Sequence, residues 1–294
     1  MSLSWYLQSA PIVFKVTGKD ARRYLNNRLS QDLRTIEPGS SLIAGALTPQ
    51  GRVEGLFTVY VEPNDTFYLA CDGGERQPLF AALGRYIVAD RVSIVDCSAE
   101  ALVGHVVGTP PPIAPDQGIY LTSPCNRLGT EGSDLLIVSP AISQVREGLI
   151  SELGSPLTKE AYDISRFKVG FVQYPSEVNE NLLLTEAGLR EAVSFQKGCY
   201  VGQEVMERSD AIGKLPRRVE RIVFNGVCAL PLQAQVLGSD AKPIGKIVSV
   251  IPAAADSRTY AFALLKSGAY AENDIVRCEG VEGTILSIEG GAAK

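Results

Sequence analysis

One histidine and one tryptophan stand in 294 residues. The single imidazole, His105, excludes any centre that needs two histidines from one chain, such as a His-rich zinc site. A Cys–His or Ser–His pair would have to use the same residue, which sits in the apolar run ALVGHVVG. There it reads as a strand histidine satisfied by its neighbours. Basic charge is not in excess either: 28 Lys plus Arg against 33 Asp plus Glu leave a net charge of −5. No field of that sign holds a phosphate backbone, so direct nucleic-acid binding is not expected. No stretch reaches the ~18 consecutive apolar residues of a membrane span. The opening MSLSWYLQSAPIVF has no basic residue before Lys15 and no long apolar core, so it does not read as an export signal. The six cysteines, Cys71, Cys97, Cys125, Cys199, Cys228 and Cys278, form no CxxC pair. A cytoplasmic protein with free thiols and no metal centre is the expectation.

What is present is a pattern of alternating elements. IVFKV (12–16) reads as a strand, and Gly18-Lys19-Asp20 opens a helix with Ala21, Tyr24, Leu25 and Leu29 on one face. SLIAGAL (41–47) and RVEGLFTVYV (52–61) are strands around the turn Pro49-Gln50-Gly51, and TFYLAC (66–71) follows Pro63-Asn64-Asp65. Leu79, Phe80, Leu83, Tyr86 and Ile87 predict a second helix, and RVSIVD (91–96) a closing strand. After the loop GTPPPIAPDQG (108–118), turn, strand and helix recur through Gly132-Ser133-Asp134, LLIVS and the series Ile142, Val145, Leu149, Ile150, Leu153. Two related α+β lobes are predicted. From Arg217 onward RVERIVF, KPIGKIVSVI, TYAFALL and GTILSI are short strands without a helix, which predicts a small β-barrel or sandwich. The boundary is placed near Leu215-Pro216, dividing the chain into 1–215 and 216–294.

The richest segment chemically is EAVSFQKGCYVGQEVMER (191–208). Gly198 and Gly202 let the backbone bend around Cys199, and Gln203 with Glu204 can start a helix. A thiol beside Lys197 and near a helix N-terminus ionises more easily, and such a thiolate serves as nucleophile, metal or cluster ligand, or redox sensor. A single cysteine between glycines also reads as a small packed hydrophobe. Taken alone, the local sequence favours the packed hydrophobe.

The octapeptide KGCYVGQE, Lys197 to Glu204 with Tyr200 at its centre, resembles the signature of the YgfZ family of folate-binding proteins, which includes mitochondrial iron–sulfur assembly factors. TGKDARRYL (17–25) with Asp32, LTPQGRV (47–53) and PSEVNENLLLTEAGLREAVSF (175–195) resemble further segments of that family. The family is similar to the aminomethyltransferase of the glycine cleavage system, the T-protein. The implied fold is α+β and T-protein-like: two related lobes around a central folate cavity, plus a C-terminal β-barrel. The implied cofactor is tetrahydrofolate or a derivative. The implied role is assembly or repair of iron–sulfur clusters in client enzymes, among them radical enzymes that modify tRNA.

Departures from the T-protein pattern separate two functions. Gly55 and Leu56 stand where that enzyme carries paired aspartates, and neither can hold a proton, so aminomethyl or one-carbon transfer is the less favoured alternative. Glu54 is adjacent but one position along a strand, hence on the opposite face. Within the predicted helix 158–169, Tyr162 and Arg166 lie at i and i+4. The resemblance assigns Tyr162 to pterin packing and Arg166 to the family's R-x-E-x-G pattern, whose glutamate is Lys168 here. Pterin recognition then passes to another carboxylate, Glu186 or Glu204. NNR at 26–28 also departs from the family's Gln-Gly-Gln. Lys214, Arg217, Arg218 and Arg221 form the one local basic patch and read as a solvated strand edge. The residues expected to act are Cys199 and Lys197, framed by Gly198, Tyr200, Gly202, Gln203 and Glu204.

Overall fold

The computed structural model describes residues 4–110, 118–253 and 256–286. Most of the loop expected at 108–118 lies outside the described residues, as does the end of the GTILSI segment.

The first lobe is a five-stranded antiparallel sheet in the order β3-β4-β5-β2-β6: β2 (Ile12–Thr17), β3 (Ser41–Leu47), β4 (Val53–Glu62), β5 (Thr66–Cys71) and β6 (Ser93–Asp96). Side chains alternate across it with period two. Phe14, Val59, Val61 and Leu69 face helices α1 (Ala21–Arg28) and α2 (Arg76–Gly84), burying Tyr24, Leu25, Leu79 and Leu83 with them. Val13, Tyr60, Tyr68 and Ala70 take part in a different cluster with Val103 and Leu136 of the second sheet. The α2 helix stops at Gly84, so Tyr86 falls beyond it and Phe80 is 40% exposed, against the expected buried face.

The second lobe is a four-stranded antiparallel sheet, β1-β7-β9-β8, made of β1 (Trp5–Leu7), β7 (Ala101–Val107), β8 (Ile119–Cys125) and β9 (Gly132–Val138). Its outer face carries Leu102, Val106, Leu135 and Ile137 against Val145 and Leu149 of α3 (Ile142–Leu153). The two lobes therefore pack sheet to sheet, each with its helices outside.

Six strands form the closed barrel: β10 (Arg217–Asn225), β11 (Gln235–Leu237), β12 (Pro243–Ala253), β13 (Arg258–Lys266), β14 (Ile275–Cys278) and β15 (Val281–Leu286). Pairing of β10 with β15 closes the ring around Ile222, Phe224, Val236, Ile247 and Ile285. The α4 helix (Lys159–Lys168), capped by Thr158 Oγ1 accepting from the Ala161 N–H, joins lobes to barrel. Its Phe167 ring lies 5.2 Å from Phe262 and 4.8 Å from Tyr260. Residues between α4 and α5 (Gln203–Ile212) contribute Val178, Leu182, Leu184 and Leu189 to the core where all three units meet.

Candidate functional site

The loop before α5 is built on the C-terminal end of α1. The Lys197 side chain, 5% exposed, donates from Nζ to the carbonyls of Asn26, Leu29 and Gln31. A cation at the negative end of a helix is favoured, and three acceptors match the three protons of an ammonium. Burial pushes the Lys197 ammonium down to about 7, with Asp32 opposing and Arg34 adding. The Val201 N–H donates to the Asn27 carbonyl at 3.2 Å. So the NNR segment, a departure from the family pattern, supplies its backbone to hold this loop.

On the other side the loop meets the turn between β3 and β4. Gly202 caps α5 with φ of +85°, and a Cβ there would stand 2.7 Å from the Thr48 carbonyl oxygen. Only glycine meets both conditions without strain. Gln203 reaches back to accept from the Tyr200 N–H at 3.3 Å. The Tyr200 ring is 7% exposed and lies under the Lys197 ammonium at 4.6 Å. Glu204 opens the first turn of α5 and is exposed. With its neighbours fixed from both sides, Cys199 is exposed, and so is Gly198. The expected role of Lys197, tuning the thiol, is not the one its contacts define. It is committed to three carbonyls and acts as the anchor of the loop.

Tyr162 and Arg166 occupy a different region, the interior where the lobes meet. Tyr162 is 1% exposed and its ring is stacked on Tyr6 at 3.8 Å between centroids. Its hydroxyl oxygen accepts from Gln173 at 3.0 Å and from Arg127 at 3.3 Å. Arg166 is 3% exposed and paired with Glu177 at 2.9 Å and Asp163 at 2.8 Å, while Ser249 donates to the same Glu177. Lys168 is exposed at the end of α4.

A second set of charges, which the sequence did not single out, fills the space between. Arg127 bridges Asp134 through Nη2 at 2.5 Å and Asp72 through Nη1 at 3.1 Å. Burial disfavours this guanidinium's charge, but the two carboxylates more than restore it. Its loop, PCNRLGT, carries no motif, and its partners lie 7, 35 and 55 positions away, so no local signal marks it.

A tetrahydrofolate site would present an uncovered aromatic face, a free carboxylate and a cavity of about 300 Å³ or more. The cavity lined by Leu56, Asp72, Arg127, Phe171 and Val172 measures about 20 Å³. Tyr6 already covers Tyr162, and Arg166 is fully paired. Of the alternative carboxylates, Glu186 is held by Arg217 at 2.8 Å and Glu204 lies on α5. As arranged here, Tyr162, Arg166 and Lys168 do not fit the cofactor: the ring is covered, the guanidinium is paired, and the space beside Arg127 is small.

The carboxylates near the missing aspartates are already engaged: Asp72 is bound by Arg127 at 3.1 Å and by Gln8 at 2.6 Å. Leu56 is 8% exposed and faces the core, and both Glu54 oxygens are bound, to Arg28 at 2.6 Å and to Arg85. The basic patch is likewise structural in part: Arg217 pairs with Glu186, and Arg221 donates to the carbonyls of Phe167 and Lys168.

No protein-family model matches the chain. A mitochondrial iron–sulfur cluster assembly factor IBA57 homolog of Mycosarcoma maydis is 26% identical over 248 residues, covering 76% of this chain. The chain spans only 58% of that protein's length. An aminomethyltransferase of Chlorobium phaeobacteroides is 23% identical over 252 residues, 76% of this chain and 66% of that one. The chain is related to both. The crystal structure of glycine cleavage system aminomethyltransferase T from Bartonella henselae superposes with a TM-score of 0.79, covering 99% of this chain and 86% of that one at 15% identity. The T-protein-like α+β fold implied by KGCYVGQE is thus the fold observed. Among the described residues, no helix is long and apolar enough to cross a membrane.

Proposed function

We propose that this chain is an accessory protein of iron–sulfur cluster assembly or repair in which Cys199 is the group that meets the cluster or its carrier. The observation that carries the reading is the exposed thiol on a loop pinned from both sides, by Lys197 to the end of α1 and by Gly202 to the β3–β4 turn. A soft thiolate suits iron and sulfide, and a rigid base presents it without an ordering cost on contact. The relationship to iron–sulfur assembly factors supports the same reading. The clusters are cargo, and the clients are iron–sulfur enzymes. Those that modify tRNA would connect this acidic chain to tRNA indirectly, in the cytoplasm.

In this reading Lys197 positions, Tyr200 and Gly202 shape the loop, and Cys199 acts. A Cys199→Ala variant should fail to restore client-enzyme activity in a deletion strain while accumulating to the normal level. Full rescue by that variant would remove the central claim.

Tetrahydrofolate, implied by the resemblance, has no place at Tyr162, Arg166 and Lys168 as they are arranged. Calorimetric titration of the purified protein should show no saturable binding below millimolar tetrahydrofolate. Micromolar binding would restore folate dependence to the proposal. Aminomethyl transfer, the alternative supported by the related transferases, is disfavoured by Gly55, Leu56 and the paired Glu54.

A further inference from the structure

The second lobe contains a thiol, an imidazole and a carboxylate on one sheet face, apart from the Cys199 loop. Register sets them there. His105 on β7 is directly opposite Asp134 on β9, and Cys125 on β8 is opposite Gly132, two residues from Asp134 along the same strand. The Cys125 sulfur, a His105 ring nitrogen and an Asp134 carboxylate oxygen all lie within 4.8 Å of one another.

The hydrogen bonding assigns each group a state. His105 Nδ1 is 2.9 Å from Asp134 Oδ1, and Arg127 donates to both oxygens of that carboxylate. Burial would raise Asp134, but the Arg127 guanidinium and the His105 contact hold it below the usual carboxylate range. An ionised Asp134 accepts from a protonated Nδ1, which leaves Nε2 as the ring nitrogen that can exchange a proton. His105 is 1% exposed, and Nε2 has no hydrogen-bond partner. A buried polar atom without a partner is costly unless something compensates it. Nε2 lies against Gly132, the cross-strand neighbour of Cys125, where a Cβ would stand 2.9 Å from Nε2 and 2.4 Å from the Val106 carbonyl oxygen, so only glycine fits beside the imidazole.

Gly132 and Cys125 also border solvent. A cleft of about 590 Å³ is lined by Cys125 and Gly132 together with Pro124, Asn126, Glu131 and Ser133. Its size is that of a small-molecule site. We propose that Cys125, His105 and Asp134 form a second thiol site, in which His105 takes the Cys125 proton and the thiol reacts with low-molecular-weight disulfides entering this cleft. The Cys125 sulfur attacks one sulfur of the disulfide as its proton passes to Nε2. The substrate's S–S bond breaks, and the proton moves from Nε2 to the departing thiolate. The products are a mixed disulfide on Cys125 and one free thiol, with no other reactant. The step needs a base for the incoming sulfur and an acid for the leaving one, and His105 supplies both.

Burial pushes the Cys125 thiol up to about 11, so it rests protonated and depends on that base. A resident cation suits the cluster less well, because Arg127 holds both Asp134 oxygens and adds positive charge beside them.

Cys97 and Cys228, each also half-buried, are internal references. The full chain is treated with oxidised glutathione, and the modification of each cysteine is followed by peptide mass mapping. Cys125 should react about tenfold or more faster than Cys97 and Cys228, and His105→Gln should slow Cys125 alone by ~10²-fold. Equal rates in the unsubstituted protein would overturn the proposal without any variant having to fold. An unchanged Cys125 rate in a folded His105→Gln protein would do the same. A stoichiometric thiolate-to-cobalt absorption band on adding Co²⁺, lost in Cys125→Ser, would show a metal site instead.

Discussion

The loop around Cys199 and the charged interior around Arg127 and Arg166 use the same residue types to opposite ends. In the loop one cation is buried, Lys197, and it is bound only to backbone, leaving the neighbouring thiol exposed. In the interior the cations are bound to carboxylates, Arg127 to Asp72 and Asp134 and Arg166 to Asp163 and Glu177. A loop anchored through carbonyls presents its side chains outward. In an interior closed by ion pairs the charged side chains turn on one another, and the space beside Arg127 is about 20 Å³. The residues the family resemblance assigns to a ligand thus serve here as the packing between lobes and barrel.

The largest expected effect breaks the interior. Arg166→Ala leaves Glu177, which is fully buried, as an unpaired carboxylate. Equilibrium urea unfolding should show a loss of about 3–5 kcal/mol. A loss below about 1 kcal/mol would mean the pair is not what closes that region. The loop should respond more weakly and in a position-dependent way. Gly202→Ala forces φ of +85° on alanine and drives its Cβ toward the Thr48 carbonyl, costing about 1–3 kcal/mol. Gly198→Ala meets nothing within 4 Å and should stay within about 0.5 kcal/mol of the parent. Equal losses at the two glycines would contradict the docked geometry.

The finest distinction is a pH dependence. Lys197 is held down to about 7 against an ordinary 10.5, so between those values the unfolded chain binds the proton and the folded chain releases it. Stability rises with pH wherever the unfolded state holds more protons. The stability of the parent relative to Lys197→Met should therefore be flat below about pH 7, climb through the interval and level off near 10.5. Thermal melts of both proteins across pH 6 to 10 read this directly. A difference that falls as pH rises would mean the three carbonyls outweigh burial and keep the ammonium charged.

Much of the architecture was legible locally. SLIAGAL, TFYLAC and the series from Ile142 to Leu153 coincide with β3, β5 and α3. The strands that escaped reading have physical reasons. Strand β1 is three residues long, and β8 contains Pro124, which a strand tolerates at a sheet edge, where β8 lies. The Cys199 loop was legible because its glycines, lysine and cysteine are contiguous. The role of Lys197 was not, because its acceptors lie about 170 positions away. His105 was read as satisfied by its neighbours. That holds for Nδ1 and fails for Nε2, a difference decided by which groups the neighbouring strands bring to each nitrogen.

By itself the sequence determined the period of each strand and helix, the scarcity of acid–base groups and the glycine-framed cysteine, since all of these depend on residues near one another in the chain. Only the tertiary structure decided which aromatic faces are covered, which charges are paired and which thiols are exposed. Those outcomes depend on burial and on partners separated by tens to hundreds of residues. Tyr162 marks the division: its place on a helix follows from spacing, but whether its ring is free to take a ligand depends on Tyr6, which arrives from the other end of the lobe.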